Sequence, residues 1–510
     1  MAKKTPQAFR DLTDLSNRIH TFGAALTLLH WDQETYMPPG GIGPRSRQAA
    51  LLSELIHEEK AGRKFKSCLE KLIGLATGKP KVKGLSKQQL ACIREWHRDY
   101  LKATKLPSSF VNAFSQLTSE ASQIWAEAKK GNNFKLFAPF LGKIIDMNRK
   151  KADILGFSEH PYDALLEGYE PCMTTSKVAA IFGSLQKELK GLLKAIVAGR
   201  ETDDSFLHRT VGEEKQMELG RLLLAKLPMD AAYSRLDLSS HPFSLALHPH
   251  DSRITTRIIP DAFMSNIFSI LHETGHSLYE MGLPAEHWGT PLGEYVSLSI
   301  HESQSRWWET LIGRSLPFWK FLYPSVQKEL PFLKKIPLQK FYRAINQVKP
   351  TLIRVEADEV TYCLHVILRF EIEQMLISGK LPVSDLPDAW NGKMKDILGI
   401  VPPNDAQGCL QDIHWSLGDF GYFPTYALGN LFSAHFFSAF AKAHPDWESR
   451  VEAGDLAFVR DWLKDKIHRW GKMYNSEELA KRISGAPLSE SAYVSYLKKK
   501  YSEIYKLYRE

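Results

Sequence analysis

His272 and His276 stand four residues apart in the run His-Glu-Thr-Gly-His, with Glu273 beside the first of them. On a helix this spacing offsets two side chains by about 40° and by about 6 Å along the axis, so both imidazoles can reach one metal ion. Glu273 can then face a water held by that ion and act as general base in a hydrolysis. A catalytic zinc takes three protein ligands and leaves one position open. The third candidate is Glu302, within Ile-His-Glu-Ser-Gln-Ser-Arg-Trp-Trp-Glu at 300–309. His301 competes for the same place, but helix neighbours point about 100° apart, so only one of the two can face the metal. Glu302 is favoured, with His301 lining the cleft or packing beside it. The bland alternative is a buried helix with two histidines on its flank. Val296, Leu298 and Ile300 argue that Glu302 lies on a buried helix rather than a solvated one.

Mostly helices must position these groups. Phe263, Ile267, Ile270, Leu271 and Leu278 recur at helical spacing over 263–281, after a candidate start at Asp261. The same periodicity predicts helices at 9–29, 45–57, 86–103, 110–129, 175–197, 213–225 and 455–467, and in pieces over 339–377. Pro38-Pro39-Gly40-Gly41 separates the first two. The stretch 242–259 differs, because Phe243, Leu245 and Leu247 alternate with Ser244, Ala246 and His248. Beyond a turn at 248–251, Arg253, Thr255 and Arg257 alternate with Ile254, Thr256 and Ile258. That is a hairpin signal. It directly precedes the histidine helix, where an edge strand can hold an extended peptide across the metal.

Further runs recur around this centre: His-Pro-Phe at 241–243, Asp-Ser-Arg-Ile-Thr at 251–255 and His-Glu-Ser-Gln at 301–304. Ile-Arg-Val-Glu-Ala-Asp at 353–358 and Gly-Cys-Leu-Gln-Asp-Ile-His-Trp at 408–415 follow, with Trp-Asp-Gln-Glu-Thr at 31–35 and Gly-Tyr-Phe-Pro-Thr-Tyr at 421–426. In order and spacing the set resembles the carboxypeptidase Taq family of metallocarboxypeptidases, over nearly the whole chain. The resemblance implies a mainly α, elongated molecule with a deep active-site groove and a small β-sheet beside the zinc helix. It also implies a homodimer, broad removal of C-terminal residues, and poor action next to proline. Two positions depart from the family pattern: Ile258 stands where a tyrosine is expected, and Ser299 where a glycine is expected.

The late motifs supply candidates to steady a developing oxyanion: His414, Tyr422 and Tyr426, of which His414 and Tyr426 are preferred. Each could equally be a packing residue. The second ring nitrogens of the ligand histidines need partners, and Asp358 or Asp412 could serve unless they cap helices. A C-terminal carboxylate suits the planar fork of arginine. Arg354 is the first choice for it and Arg253 the second, each weighed against a structural salt bridge. His241 could shape the cleft or merely start a strand.

Composition bounds the rest. The chain is 44% hydrophobic and 24% charged, which suits a large soluble core. No linker interrupts it; residues 78–87 read as a surface loop. One catalytic domain over 1–510 is expected, helical to about 235, carrying the site motifs to about 430, and helical beyond. A net charge of +8 is spread without a basic stripe, which argues against nucleic acid. The run 498–500 reads as a solvated helix face. No stretch reaches membrane-span length; 427–443 comes nearest, interrupted by Asn430, Ser433, His435 and Ser438. The N-terminus lacks the apolar core of a signal peptide. Five scattered cysteines without a CxxC read as reduced core thiols of a cytoplasmic protein. Zinc is the expected cofactor, with cobalt able to take its place. The leading reading is a metallocarboxypeptidase acting on peptides with a free C-terminus. A zinc oligopeptidase cleaving internally is the alternative, and a helical binding protein with a vestigial site is the weakest.

Overall fold

The computed structural model describes residues 5–199 and 202–507. Helices dominate, and the periodic stretches form them. Gln7–Thr35 and Ile42–Ala61 are separated at the Pro-Pro-Gly-Gly break by a short 3-10 turn, Pro39–Gly41. Lys87–Lys105 begins at a capping box, in which Ser86 Oγ accepts from Gln89 N (3.1 Å) and Gln89 Oε1 accepts from Ser86 N (2.9 Å). Such a cap stabilises a helix by about 1 kcal/mol. Thr175–Val197 is capped by Thr174.

The interrupted stretch 339–377 becomes two helices, Leu338–Ile345 and Thr361–Ile377. Asp358 stops the break between them by accepting from the backbone N–H groups of Val360 (2.9 Å) and Thr361 (3.0 Å). Thr361–Ile377 and Pro424–Ala443 are buried on nearly every face, forming the centre of the main core. Two of the polar interruptions in the second helix have partners: Asn430 Oδ1 accepts from Arg306 Nε (2.7 Å), and His435 Nε2 lies 2.6 Å from Ser484 Oγ. Among the described residues no helix is long and apolar enough to cross a membrane.

A second, smaller core joins the first, third and fourth helices through Leu12, Leu69, Leu72, Cys92 and Trp96. One residue from far along the chain enters it, Leu292, 5% exposed.

The expected hairpin is present as β2 (Ser244–His248) and β3 (Asp251–Thr256), antiparallel, with Ser244 opposite Ile254 and an irregularity between Ala246 and His248. A further strand, β1 (Ser234–Leu238), pairs parallel to β3, so the order is β1-β3-β2 and β2 is an edge. The helical N-terminal part thus gives way to strand slightly before residue 235.

Two surface expectations are corrected. Lys500 is buried rather than solvated: its ammonium lies 2.7 Å from Glu359, which also accepts from Tyr496 and Tyr501. A buried lysine is stable only with such a partner. Cys172 is exposed, at φ +69°, and only the other four thiols are buried.

Candidate metal and catalytic site

Phe263–Gly282 is the motif helix, entered without a side-chain cap after Ala262, one residue beyond the expected Asp261. Phe263, Ile267, Ile270, Leu271 and Leu278 anchor its buried face. Leu298–Arg306, capped by Ser297, runs against it and carries Glu302. The approach is close: a Cβ on Gly275 would lie 2.4 Å from the Gln304 carbonyl oxygen. The Pro424–Ala443 helix leans on the same place, where a Cβ on Gly429 would lie 2.5 Å from Glu302 Cγ. Glycine at these two positions lets three helices converge on one carboxylate.

The convergence brings His272 Nε2 within 3.6 Å of Glu302 Oε2 and His276 Nε2 within 3.5 Å of it. Ligands about 2.0–2.2 Å from a tetrahedral ion lie about 3.3–3.6 Å from one another. Two imidazoles and one carboxylate at these separations therefore fit a zinc-type ion, and the described residues contain no other cluster of this kind. His301 points elsewhere.

The rings are fixed from behind. His272 Nδ1 lies 2.9 Å from Glu309 Oε2, and Glu309 also accepts from Arg306 Nη1 (2.7 Å). Glu309 sits on a π-helical segment, Trp307–Ile312, continuing the Leu298–Arg306 helix; such turns cluster at functional sites. Burial opposes the charge on Glu309, but Arg306 and His272 outweigh it and hold its pKa at about 2. His276 Nδ1 lies 2.6 Å from His301 Nδ1, and His301 Nε2 lies 2.8 Å from Glu280 Oε1. The expected partners Asp358 and Asp412 are corrected here: Asp358 caps a helix and Asp412 pairs with arginines. Glu309 was within reach of sequence reasoning, since it stands seven residues, two turns, beyond Glu302. Glu280 had the same kind of signal, one turn beyond His276, whereas the role of His301 as a link between them did not.

The electrostatics favour a cation between these groups. Burial disfavours a proton on His272, yet Glu302, Glu309 and Glu273 raise its pKa to about 9. His276 is held well below its ordinary value by burial and by His301 and His272. Glu273 is 7% exposed, and burial raises its carboxyl to about 7 against the opposing field of His272.

The other expected residues fall in different settings. His414 Nε2 lies 3.2 Å from the Tyr426 hydroxyl, and both are half-buried. Burial, then Arg354, lower the His414 pKa to about 4, so its ring is neutral. Tyr426 stands one turn before Gly429, on the side of the helix that meets Glu302, and burial raises its phenol well above the ordinary value. Tyr422 lies beside it, ring centres 5.2 Å apart.

Arg354 is 5% exposed beneath Tyr426, its guanidinium 4.9 Å from the ring centre. It donates from Nε to Asp412 (3.0 Å) and from Nη1 to the Tyr362 hydroxyl (3.1 Å). Arg369 holds the other Asp412 oxygen. Arg253 pairs with Asp251 (2.9 and 3.0 Å) and covers Trp31 at 4.5 Å. Alternation along β3 sets it opposite Ser252, which meets Ser277 of the motif helix. His241 is exposed before β2, and its carbonyl accepts from Ser239 Oγ (2.6 Å). The structure thus gathers His272, Glu273, His276 and Glu302 in one place, sets His414, Tyr426 and Arg354 along a neighbouring wall, and leaves Arg253 on the sheet and His241 just before β2.

Comparison with known proteins agrees with this architecture. The family model described as carboxypeptidase Taq (M32) metallopeptidase matches residues 11–501. Thermostable carboxypeptidase 1 of Thermus thermophilus is 40% identical, over 98% of this chain and 100% of its own. Carboxypeptidase 1 of Bacillus subtilis is 37% identical, over 98% and 99%. The crystal structure of the M32 carboxypeptidase from Deinococcus radiodurans superposes with a TM-score of 0.93 at 36% identity, covering 98% of this chain and 100% of that one. The mainly helical fold, the small sheet and the full-length match lead to one assignment: the chain belongs to the carboxypeptidase Taq (M32) family of metallopeptidases.

Proposed function

We propose that the protein is a zinc carboxypeptidase that removes single residues from the C-termini of peptides with broad preference. The observation that carries this is the trio of ligand atoms from His272, His276 and Glu302, with the buried carboxyl of Glu273 on the next residue of the same helix. A bound zinc would supply Lewis acidity, making water acidic near neutral pH and polarising the scissile carbonyl. Cobalt suits the same donors.

Glu273 takes the proton of the attacking water and returns it to the leaving amine. A base with pKa near the working pH does both tasks well, and burial brings Glu273 towards that value. His414 and Tyr426 donate to the carbonyl oxygen as charge gathers on it, neutral donors suiting that role. β2 pairs on one side only and lines a cavity of about 500 Å³ with Glu280, so its free edge can hold the peptide backbone.

Arg354 receives the substrate's terminal carboxylate. Asp412 is already shared with Arg369, so this buried group of two guanidiniums and one carboxylate keeps one positive charge in excess. A carboxylate arriving beside Tyr426 meets that excess without stripping Asp412 of its partner. His241 and Arg253 border the sheet side of the cleft in this reading. The same reading takes a cytoplasmic homodimer, which sedimentation of the purified chain tests.

The test is a digest of a defined peptide by zinc-loaded protein, read by mass spectrometry beside E273Q. Products shortened one residue at a time from the C-terminus, absent with E273Q, support the proposal. Internal fragments would support the oligopeptidase reading instead.

A further inference from the structure

We infer that His301 and Glu280 are positioning residues for the metal ligand His276, acting through a two-link hydrogen-bond relay. The inference rests on the proposed metal site and concerns how that site is held.

The geometry leaves one consistent set of protons. His276 Nε2 is turned to Glu302 Oε2, 3.5 Å away, and as a ligand of the proposed ion it would carry no proton, which leaves the ring proton on Nδ1. That proton is donated to His301 Nδ1 at 2.6 Å. His301 then carries its own proton on Nε2 and donates it to Glu280 Oε1 at 2.8 Å. Each nitrogen has one role, and reversing either bond would place a proton on the nitrogen that faces the metal. The rings of His276 and His301 lie with their centres 4.5 Å apart, inclined by 27°. Tyr295 and Tyr279 pack around His301 with ring centres at 4.8 and 5.4 Å, which blocks rotation of the middle link.

The two ligand histidines are thus supported differently. His272 meets a carboxylate directly, and Arg306 ties that carboxylate down. His276 reaches its carboxylate only through a second imidazole, and that carboxylate lines the same cavity as Ala246 and Leu247 of the edge strand. The relay therefore runs from the metal position to the wall along which the peptide would lie. Residues that orient a ligating histidine commonly contribute about 10–100-fold to metal affinity.

The experiment measures zinc affinity of the metal-depleted full chain by competition with a chromophoric chelator. Wild type, H301L, H301Q, E280L and E280Q are compared, with the unfolding midpoint of each metal-free protein as a check on folding. Zinc binding about 10–100-fold weaker in H301L and E280L is expected. H301Q and E280Q, which retain an amide oxygen as acceptor, should recover part of that loss. A role in packing alone does not predict this order. If H301L does not fold, E280L carries the same expectation, because Glu280 is half-buried. Wild-type zinc binding matched within twofold by folded H301L or E280L would overturn the relay. A wild type that binds no zinc would instead overturn the metal site itself.

Discussion

Gly275 of the motif helix faces the backbone of Gln304 so closely that a Cβ would lie 2.4 Å from the Gln304 carbonyl oxygen and 2.5 Å from Ser305 Cα. Both contacts are backbone atoms, which cannot turn aside as a side chain could. Gly275→Ala should therefore push the two ligand-bearing helices apart. Overpacking of this kind costs about 1–3 kcal/mol. The expected result is a lower unfolding midpoint together with weaker zinc binding, since Glu302 moves with its helix. An unchanged midpoint in calorimetry would show that the helices do not meet as described.

Glu309→Gln removes the charge behind His272 while keeping a hydrogen-bond acceptor. Zinc affinity should fall about tenfold or more. Activity at saturating zinc should fall far less, because Glu309 does not face the substrate. Chelator titration separates the two readings.

Glu273→Gln should lower kcat by about 10²–10⁴-fold, the usual contribution of a general base, while zinc binding remains. The base must be ionised to accept a proton. Its carboxyl stands at about 7 without the ion, and a dication alongside can only pull it lower. The acidic limb of log kcat/KM should therefore lie at or below about pH 7 and fall with unit slope as pH drops. A limb well above 7 would point to another group.

Arg354→Met should raise KM for peptides with a free C-terminal carboxylate more than it lowers kcat. Asp412 keeps Arg369 in this variant, so the fold should survive. The preference for a free carboxylate over a C-terminal amide should shrink with it, and steady-state kinetics on the matched pair of peptides reads this out.

His365 is fully buried, with Nε2 3.0 Å from the Thr351 carbonyl oxygen and Nδ1 without a partner. Burial, then Arg369, lower its pKa to about 3. The unfolded chain binds a proton near pH 6.5, so between about 6.5 and 3 the unfolded state holds more protons. The stability contributed is full above 6.5 and is lost as pH falls, by up to about 1.4 kcal/mol per pH unit. His365→Gln should flatten the pH dependence of urea midpoints between 6.5 and 4.5 by about one proton.

The proposed ligands and base were legible because the chemistry expected of them is written in a helical spacing, four residues for the histidines. Amphipathic surface helices such as Thr175–Val197 were legible for the same reason. Thr361–Ile377 was blurred, since a helix buried all round has no polar stripe to mark its period. Phe134–Leu155, which holds Pro139 within its first turns, was not among the expected helices. β1 escaped because its partner lies beyond β2 in sequence and no turn announces a parallel pairing. Asp412 shows the same limit at the site. Nothing in its neighbours reveals that Arg354 and Arg369 claim it before any histidine can.

Leu292, set in the small N-terminal core, lies about midway along the segment that joins His276 to Glu302. A metal that draws both ends of that segment together works against the freedom of the chain between them. Closing a loop costs less when the loop is shorter, by about 0.6 kcal/mol for each halving. Pinning the middle divides one long excursion into two short ones before any ion arrives. Helices that never touch the metal thereby lower the entropy lost when it binds, and their unfolding should be felt first as a looser hold on the ion.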